Sequence, residues 1–355
     1  MPHKASLYTT CSILSPENVK NKVLPLYGLQ DAIIEDIKFK NTDKQRAVYK
    51  VTKDNKVFCL KKVYYNSEKL LFVYSSIEWW YRFGINVPRI LPTVSNSRYV
   101  NYNDMLFILT PWIEGVKCDY DNEEHINSIM GNLGRIHRVS CDFFPIPGSE
   151  IVTSCNVLYN SLHKHWQNIL QYSNLAFQHK DSFSKLYIEH FNTFSKLAEI
   201  SSSISYGINN LNLSKSLCHE DYVNKNLIFD ENKNLWVIDF DKVSLDYVAH
   251  DISYALRRLL RRESTNWNVS LAISLLSQYD KENKLNIDDY KYILAYLSFP
   301  QKYWKISRDY YRNIQKCNKK AFYKILKKSV KNGADQLEFS LNFKSYIEDK
   351  FCEKI

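Results

Sequence analysis

Polar and apolar residues alternate in several short stretches of the first third of the chain. Such alternation predicts β-strands, because successive side chains of a strand point to opposite faces of a sheet. Two helices are expected among the strands, over 15–27 and 66–83, and each ends at a glycine. The stretches predicted as strands are residues 33–39, 47–52, 56–63, 89–92, 98–102 and 105–111.

From residue 122 onwards, apolar residues recur at the three- and four-residue spacing of amphipathic helices. The chain is therefore expected to be an α+β protein, with strands and one long helix in 1–112 and mainly helices in 113–355. The predicted helices cover residues 122–140, 156–172, 182–203, 245–262, 268–279, 287–297, 303–315 and 320–328, followed by a tail to 355.

A hairpin is predicted inside the helical part, with strands at 227–229 and 235–238 joined by the polar turn 230–234. Asn226 and Asp239 flank its two open ends and are therefore expected to lie close together. Amide and carboxylate oxygens are ligands that Mg²⁺ prefers. The pattern therefore predicts a metal site at the open end of the hairpin.

Two further polar residues, His219 and Asp221, precede this hairpin. Phosphoryl transfer from a nucleoside triphosphate uses a carboxylate that accepts or orients the proton of the attacking hydroxyl, together with oxygen ligands for Mg²⁺. The alternative is an ordinary hairpin with surface Asp and Asn residues, since polar residues are common in turns. The combination of His219, Asp221, Asn226 and Asp239 favours phosphoryl transfer.

The sequence HEDYVNKN at 219–226, followed by IDFD at 238–241, resembles the catalytic and metal segments of the aminoglycoside/choline kinase-like fold. More specifically, it resembles the CotS family of bacterial spore coat proteins. The resemblance implies a two-lobed, protein kinase-like fold, with a small antiparallel β-sheet lobe plus one helix and a larger, mainly helical lobe. Other segments that share it are 57–62, 86–90, 112–115 and 250–251.

The resemblance also implies roles for individual residues. Asp221 is the catalytic base, and Asn226 and Asp239 bind Mg²⁺. His219 and Asp251 are structural residues of the site, and Asp251 holds the backbone of the catalytic loop. The residues implied to bind the nucleotide, which is ATP or GTP, are Lys61, Glu78, Trp112 and Ile113.

The nucleotide lysine is either Lys61 or Lys62, because strand alternation points only one of them to the nucleotide, and we favour Lys61. Glu78 lies 17 residues after Lys61 in an apolar helix. An unpaired carboxylate there is costly to desolvate, and the resemblance implies Lys61 as its partner. A Glu at the rim of an amphipathic helix is the alternative.

Two features weaken the match to a nucleotide site. A phosphate-covering loop is expected at residues 40–46, but this stretch contains no glycine that would let the backbone approach a phosphate group closely. The positive charges of Lys40, Lys44 and Arg46 can replace the missing backbone donors. Pro111 has no N–H, so a donor to the nucleobase must come from Trp112 or beyond. Trp112 can instead be a packing residue.

The net charge of the 355-residue chain is +10, but no groove-reading motif is visible, so nucleic acid is not an expected partner. Eight cysteines without a C-x-x-C pair do not indicate a zinc site or a disulfide framework. No long apolar run occurs, so membrane insertion is not expected, and the expected location is the mother-cell cytoplasm and then the spore coat.

Four arginines, at 257, 258, 261 and 262, recur at helical spacing. They form either a solvated face, a site for an anionic acceptor or a docking surface. His137, near the end of a predicted helix, is expected to be a packed or capping residue.

The function expected from these features is that of a CotS-type spore coat protein that transfers phosphate from ATP or GTP to a hydroxyl of an unknown small molecule. The alternative is a non-catalytic scaffold for coat assembly, to which the 26 tyrosines are suited. The expected partners are a nucleotide, a small-molecule acceptor and other coat proteins.

Overall fold

The computed structural model describes residues 13–40 and 46–355, and these residues form two compact units. The first unit contains the described residues up to Cys118 together with Val139–Thr153 and Asn224–Ser244. The second contains Asp119–Arg138, Ser154–Val223 and Leu245–Ile355. Each unit thus combines segments that are distant in sequence, and the simpler division at residue 112 stays a prediction.

The first unit is built on an antiparallel sheet with the strand order β1-β2-β3-β5-β4. Five of the six strands predicted in this region are confirmed, whereas the stretch 89–92 forms only a single bridge, from Leu91 to Leu109. The strands of the sheet are β1 (Ile33–Lys40), β2 (Arg46–Lys53), β3 (Lys56–Lys62), β4 (Val100–Tyr102) and β5 (Met105–Pro111).

Two helices accompany this sheet and begin at capping residues. The Ser15 hydroxyl accepts a hydrogen bond in the first turn of α1 (Pro16–Lys22), and the Asn66 side chain does so in α2 (Ser67–Arg82). α1 is shorter than the predicted helix because residues Leu24–Tyr27 form a 3₁₀ turn instead of α-helix. α1 and the 3₁₀ turn pack on the sheet. The core between them contains fully buried side chains, which include Val19, Leu24, Val51, Leu60 and Phe107.

A second, three-stranded sheet in this unit has the order β6-β8-β9. Its strands are β6 (Val116–Lys117), β8 (Leu227–Phe229) and β9 (Leu235–Val237). β8 and β9 form the predicted hairpin, with Leu227 opposite Val237. The hairpin therefore packs with the N-terminal segment of the chain, although it is more than 100 residues away in sequence.

Helices make up most of the second unit, together with a small sheet of β7 (Lys215–Cys218) and β10 (Ser244–Tyr247). Stacked aromatic rings join the helices: Tyr303 lies 4.6 Å from Tyr187 and 4.3 Å from Phe194 between ring centroids. The helices are α3 (Glu123–Val139), α4 (Leu158–His179), α5 (Ser182–Tyr206), α6 (Val248–Leu260), α7 (Val269–Glu282), α8 (Ile287–Ser298), α9 (Gln301–Arg312), α10 (Lys319–Val330) and α11 (Gly333–Phe351).

Two predictions for the helical part are wrong. The helix predicted over 245–262 begins only at Val248, because the residues before it pair with β7 as strand β10. The predicted tail contains the 19-residue helix α11, whose Phe339 and Phe343 are buried. The prediction for the loop 40–46 concerns residues 41–45, which lie outside the described residues.

In the part of the chain that the structure describes, no helix combines the length and the apolar character that a bilayer-spanning segment requires.

Candidate active site

A cavity of about 250 Å³ lies within the first unit. Strands β2, β3 and β5, helix α2, the segment after β5 and the end of the β8–β9 hairpin supply its walls. Five of the residues predicted for the site line this one cavity: Lys61, Trp112, Ile113, Asn226 and Asp239.

Lys61 provides the positive charge of the cavity. Its Nζ atom donates hydrogen bonds of 2.7 Å to Oδ1 of Asp239 and of 2.7 Å to Oδ1 of Asp241. Burial acts to lower the pKa of Lys61, but the two carboxylates outweigh it and raise the pKa above its usual value. The ammonium group of Lys61 therefore stays charged at neutral pH.

The hairpin brings Asn226 and Asp239 to the same cavity. The N–H of Ile238 donates to the carbonyl oxygen of Asn226 at 3.0 Å, which closes the open end of the hairpin. Asp239 has a positive φ of 69°, a conformation that costs free energy for a residue with a side chain. The backbone at this point is thus held in a strained conformation beside the candidate metal ligands.

The set of oxygen donors in this cavity suits a divalent cation. Asn226 offers an amide oxygen, and Asp239 and Asp241 offer carboxylates. Hard cations such as Mg²⁺ take ligands of this type. Asp241 was missed in the sequence, although it follows two residues after Asp239.

Lys62, the competing nucleotide lysine, does not line the cavity. Its side chain is buried, and burial lowers its pKa. Alternation along β3 explains the difference, since neighbouring residues of a strand point to opposite faces. The geometry therefore agrees with the choice of Lys61.

Glu78 has a different partner from the one predicted. Its carboxylate is bound by Arg89 through two hydrogen bonds, Nε to Oε1 at 2.9 Å and Nη2 to Oε2 at 2.7 Å. The predicted Lys61–Glu78 pair is therefore wrong, because Asp239 and Asp241 occupy Lys61 and a guanidinium matches a carboxylate with two parallel bonds. Periodicity could not indicate this contact, since Arg89 follows the turn that ends α2.

The segment after β5 is fixed by backbone contacts. The N–H of Trp112 donates to the carbonyl oxygen of Val57 at 3.0 Å, so this donor already serves the fold. Gly115 has φ 145°, and a Cβ atom there would lie 2.2 Å from the carbonyl oxygen of Phe229. The N–H groups from Ile113 onwards are thus the candidates for a nucleobase contact.

The loop that carries Asp221 belongs to the second unit. Asp251 accepts hydrogen bonds from the backbone N–H of His219 at 2.8 Å and of Glu220 at 3.1 Å. It also contacts Nε2 of the buried His137 at 3.3 Å. Burial acts to raise the pKa of Asp251, but His137 and the other partners outweigh it and lower the pKa below its usual value. Asp251 thus makes the backbone contacts expected of a residue that holds this loop.

Asp221 itself is buried and held from two sides. Its backbone N–H donates to Nδ1 of His219 at 3.2 Å, and its Oδ1 accepts from the hydroxyl of Tyr254 at 3.2 Å. Arg258 in turn donates to the Tyr254 hydroxyl at 3.0 Å. Tyr254 was missed in the sequence, although its position three residues after Asp251 places both on one face of α6.

A half-buried ion pair holds the same loop at Glu220, whose φ of 63° is left-handed. Nδ1 of His250 lies 3.0 Å from Glu220 and 2.8 Å from Asp246. Burial acts to lower the pKa of His250, but hydrogen bonds to the two carboxylates outweigh it and raise the pKa to about 11. Burial raises the pKa of Glu220 to about 7, although His250 opposes this shift.

Comparison with known proteins gives a consistent result. Residues 41–283 match the family described as the phosphotransferase enzyme family. An aminoglycoside phosphotransferase from Alicyclobacillus acidocaldarius has a TM-score of 0.74 at 18% identity, with 88% of this chain and 93% of that chain covered.

Two further solved structures are similar. Spectinomycin phosphotransferase in complex with ADP and spectinomycin has a TM-score of 0.65 at 16% identity, covering 93% of this chain and 98% of its own. An amicoumacin kinase in complex with AMP-PNP, Ca²⁺ and Ami has a TM-score of 0.62 at 15% identity, covering 93% and 96%. The predicted kinase-like fold, with an antiparallel β-sheet lobe and a larger helical lobe, is confirmed.

Proposed function

Because the chain belongs to the phosphotransferase enzyme family, we propose that it transfers a phosphoryl group from ATP or GTP to a hydroxyl group of a small molecule. The observation that carries this proposal is the cavity lined together by Lys61, Asn226 and Asp239. An ammonium group beside amide and carboxylate oxygens is the set that binds a nucleoside triphosphate with Mg²⁺.

In this proposal Asn226 and Asp239 hold Mg²⁺, with Asp241 as a further carboxylate of the cavity. The bound ion supplies positive charge that offsets the charge of the phosphate groups. Lys61, whose ammonium group lies in the same cavity, would supply a cationic contact for phosphate oxygens. Glu78 acts indirectly, because its pair with Arg89 fixes α2, which forms one wall of the cavity.

The nucleobase is proposed to lie against the apolar walls of the same cavity. Ile108, Ile228 and Ile238 offer an apolar surface for a flat ring. Since the Trp112 N–H is bound to Val57, the backbone of Ile113 is the proposed hydrogen-bonding partner of the base. Trp112 contributes contact through its side chain, whose ring lies 5.4 Å from Nζ of Lys50.

Asp221 is the proposed base, which accepts the proton of the acceptor hydroxyl as that oxygen bonds to phosphorus. Its contacts support this role, because Tyr254 orients the carboxylate while His219 and Asp251 hold the backbone of the loop. Orientation matters here because transfer depends mainly on positioning and on charge stabilisation.

The test is nucleoside diphosphate formation from Mg·ATP or Mg·GTP with a panel of hydroxyl-bearing small molecules. We expect transfer to at least one acceptor and a fall in kcat of at least about 100-fold in Asp221→Asn. The matched control is Glu231→Gln, an exposed carboxylate in the hairpin turn, which is expected to keep wild-type activity. Nucleotide binding without any transfer would support the scaffold alternative, and absence of both would contradict the proposal.

A place in the spore coat is a finer proposal, supported by the resemblance of segments 57–62, 86–90 and 112–115 to the CotS family. It is tested in the spore-forming host by detecting the protein in extracted coat fractions. Recovery with the coat supports it, whereas recovery only with the soluble fraction of the mother cell contradicts it. Asp221→Asn in the same host separates the two roles, because assembly is expected to survive the loss of transfer.

A further inference from the structure

A second cavity, of about 80 Å³, lies within the helical second unit and is lined by four cationic side chains. Arg257 and Arg261 come from α6 and the loop after it, Lys302 from the first turn of α9, and Lys328 from α10. None of its lining residues, all of which are among the described residues, is an Asp or a Glu. Positive charge is thus concentrated there without a neighbouring carboxylate in the wall.

The four positive charges of this cavity repel one another. The pKa of Arg261 is lowered by burial and by the nearby Arg258 and Arg257, and the pKa of Lys302 is lowered by burial and by Arg261 and Lys328. Arg257 is held in place by a hydrogen bond of 2.6 Å to the hydroxyl of Tyr296, over whose ring it stacks at 4.0 Å. Because Lys302 and Lys328 are exposed, the cost of these convergent cations falls mainly on the half-buried Arg257 and Arg261 until an anion joins them.

The cavity has further features of an anion site. Its volume is well below the roughly 300–1,000 Å³ of pockets that enclose a whole drug-sized ligand, so it suits one small group. The first turn of the 12-residue helix α9 forms part of its wall, and the N-terminal end of a helix favours negative charge. Arginine is suited to such groups because its planar donors match phosphate and carboxylate oxygens.

We infer that this cavity binds a phosphate, sulfate or carboxylate group, and that the group is part of the acceptor molecule. The second part rests on the proposed function. Tyr254, Arg257 and Arg261 lie at positions i, i+3 and i+7 and therefore share one side of α6. The hydroxyl of Tyr254 contacts Asp221. The axial rise of an ideal helix between positions 254 and 261 is about 10 Å. This rise is comparable to the length of a sugar phosphate, which is the size of acceptor that we assign to the site.

This assignment separates two classes of acceptor. A polycationic or quaternary ammonium compound is repelled by the four side chains, whereas a phosphorylated or carboxylated polyol is attracted. Of the four arginines at 257, 258, 261 and 262, for which the sequence left a solvated face, an anionic acceptor or a docking surface open, Arg257 and Arg261 are thereby assigned to an anionic acceptor. Arg258 instead donates to Tyr254, and Arg262 pairs with Asp121.

The binding test uses inorganic phosphate as the probe, at constant ionic strength and without nucleotide. Phosphate is expected to raise the thermal midpoint of the wild type, because a ligand of the folded state stabilises it. Arg261→Gln and Lys302→Gln are expected to weaken apparent phosphate affinity about tenfold. Lys327→Gln, an exposed residue of α10 outside the cavity, is the matched control and is expected to behave as wild type.

Two further readouts keep this test decisive. Lys61→Gln retains the phosphate response if the anion binds in the second unit and loses it if phosphate occupies the nucleotide cavity. Without phosphate, Arg261→Gln is expected to be at least as stable as the wild type, because it removes a repelling charge. No phosphate response in the wild type, or a full response in Arg261→Gln and Lys302→Gln, overturns the anion site.

The acceptor assignment is tested by nucleoside diphosphate formation with matched pairs, such as glycerol against glycerol 3-phosphate and glucose against glucose 6-phosphate. Transfer only to the phosphorylated members, with a raised KM in Arg261→Gln, is the expected result. Transfer only to neutral or cationic acceptors overturns the assignment. Phosphate binding without transfer to any acceptor contradicts the proposed function but leaves the anion site supported.

Discussion

Tyr254 connects Asp221 to the guanidinium of Arg258 through a single hydroxyl group. The hydroxyl donates to Oδ1 of Asp221 and accepts from Arg258, so it links the carboxylate to a cation that the carboxylate does not itself hydrogen-bond in these two contacts. Hydrogen bonds to a carboxylate favour its ionised form, which is the form that accepts a proton. Tyr254 is therefore a positioning residue for the proposed base.

Tyr254→Phe removes this hydroxyl while keeping the aromatic ring. We expect kcat to fall and the acidic limb of the pH dependence of kcat/KM to move to higher pH, because the carboxylate loses a donor that favours ionisation. Steady-state kinetics between pH 5 and 9 measures both effects. A merely structural role would lower stability without moving the acidic limb, and that result would contradict the assignment.

At the scale of single residues, the sequence indicated the polar groups but not all of their partners. Lys61, Asn226 and Asp239 were identified from strand ends and from the spacing of the hairpin, and they line one cavity. The pair between Glu78 and Arg89 was not foreseen, because it depends on how the chain turns after α2. Long-range pairing of side chains is decided by tertiary packing, which local periodicity does not encode.

At the scale of elements, the close approach of β6 to β8 depends on Gly115. A side chain at Gly115 would collide with the carbonyl oxygen of Phe229 and would adopt an unfavourable φ. Gly131 in α3 offers a contrast, since a Cβ atom there meets nothing within 4 Å. The two glycines therefore predict opposite effects of the same substitution.

Gly115→Ala is expected to lower the free energy of unfolding by at least about 1–3 kcal/mol, because it adds strain and a backbone collision. Gly131→Ala is expected to raise it by about 0.5–1 kcal/mol, since alanine loses less backbone entropy in a helix. Urea denaturation followed by circular dichroism measures both. Equal effects of the two substitutions would contradict the assigned role of Gly115.

The loop of Asp221 is joined to the start of α6 by the imidazole of His250. A basic group with a raised pKa in the folded state contributes stability below its unfolded pKa, and this contribution is lost as pH rises through the folded pKa. For His250 these values are 6.5 and about 11, so its contribution is lost progressively across that pH range.

His250→Gln is therefore expected to flatten the fall in unfolding free energy between about pH 7 and pH 10. The substitution keeps a hydrogen-bonding side chain but removes the titrating charge between Glu220 and Asp246. Urea unfolding at several pH values in this range compares the slopes of the two proteins. Identical slopes would show that His250 carries no linked proton.

Element order was largely predictable because strands and helices differ in the period of their apolar positions. The exceptions have physical reasons. Residues 244–247 pair with β7, a contact between distant segments that periodicity does not indicate, so residues 245–247 were predicted as the start of a helix instead of a strand. Helix α11 was taken for a tail because its apolar residues contact other helices in a narrow stripe, which gives a weak periodic signal.

At the scale of the whole molecule, the chain belongs to a phosphotransferase family, and the anionic acceptor that we infer rests on the distribution of its charges. The net charge of +10 gave little information by itself, because the lysines are dispersed along the sequence. The cluster at Arg257, Arg261, Lys302 and Lys328 became apparent only when separate helices brought it together. Specificity is thus harder to predict from sequence than membership of the family.

The central claim is that Lys61, Asn226 and Asp239 form a site for a nucleotide with Mg²⁺. Isothermal titration calorimetry with AMP-PNP, with Mg²⁺ and with excess chelator, tests it on the wild type, on Asp239→Asn and on the control Glu231→Gln. We predict binding that is at least about tenfold tighter with Mg²⁺ in the wild type and in Glu231→Gln, and a loss of this difference in Asp239→Asn. Affinity that is independent of Mg²⁺, or unchanged in Asp239→Asn, would contradict the claim.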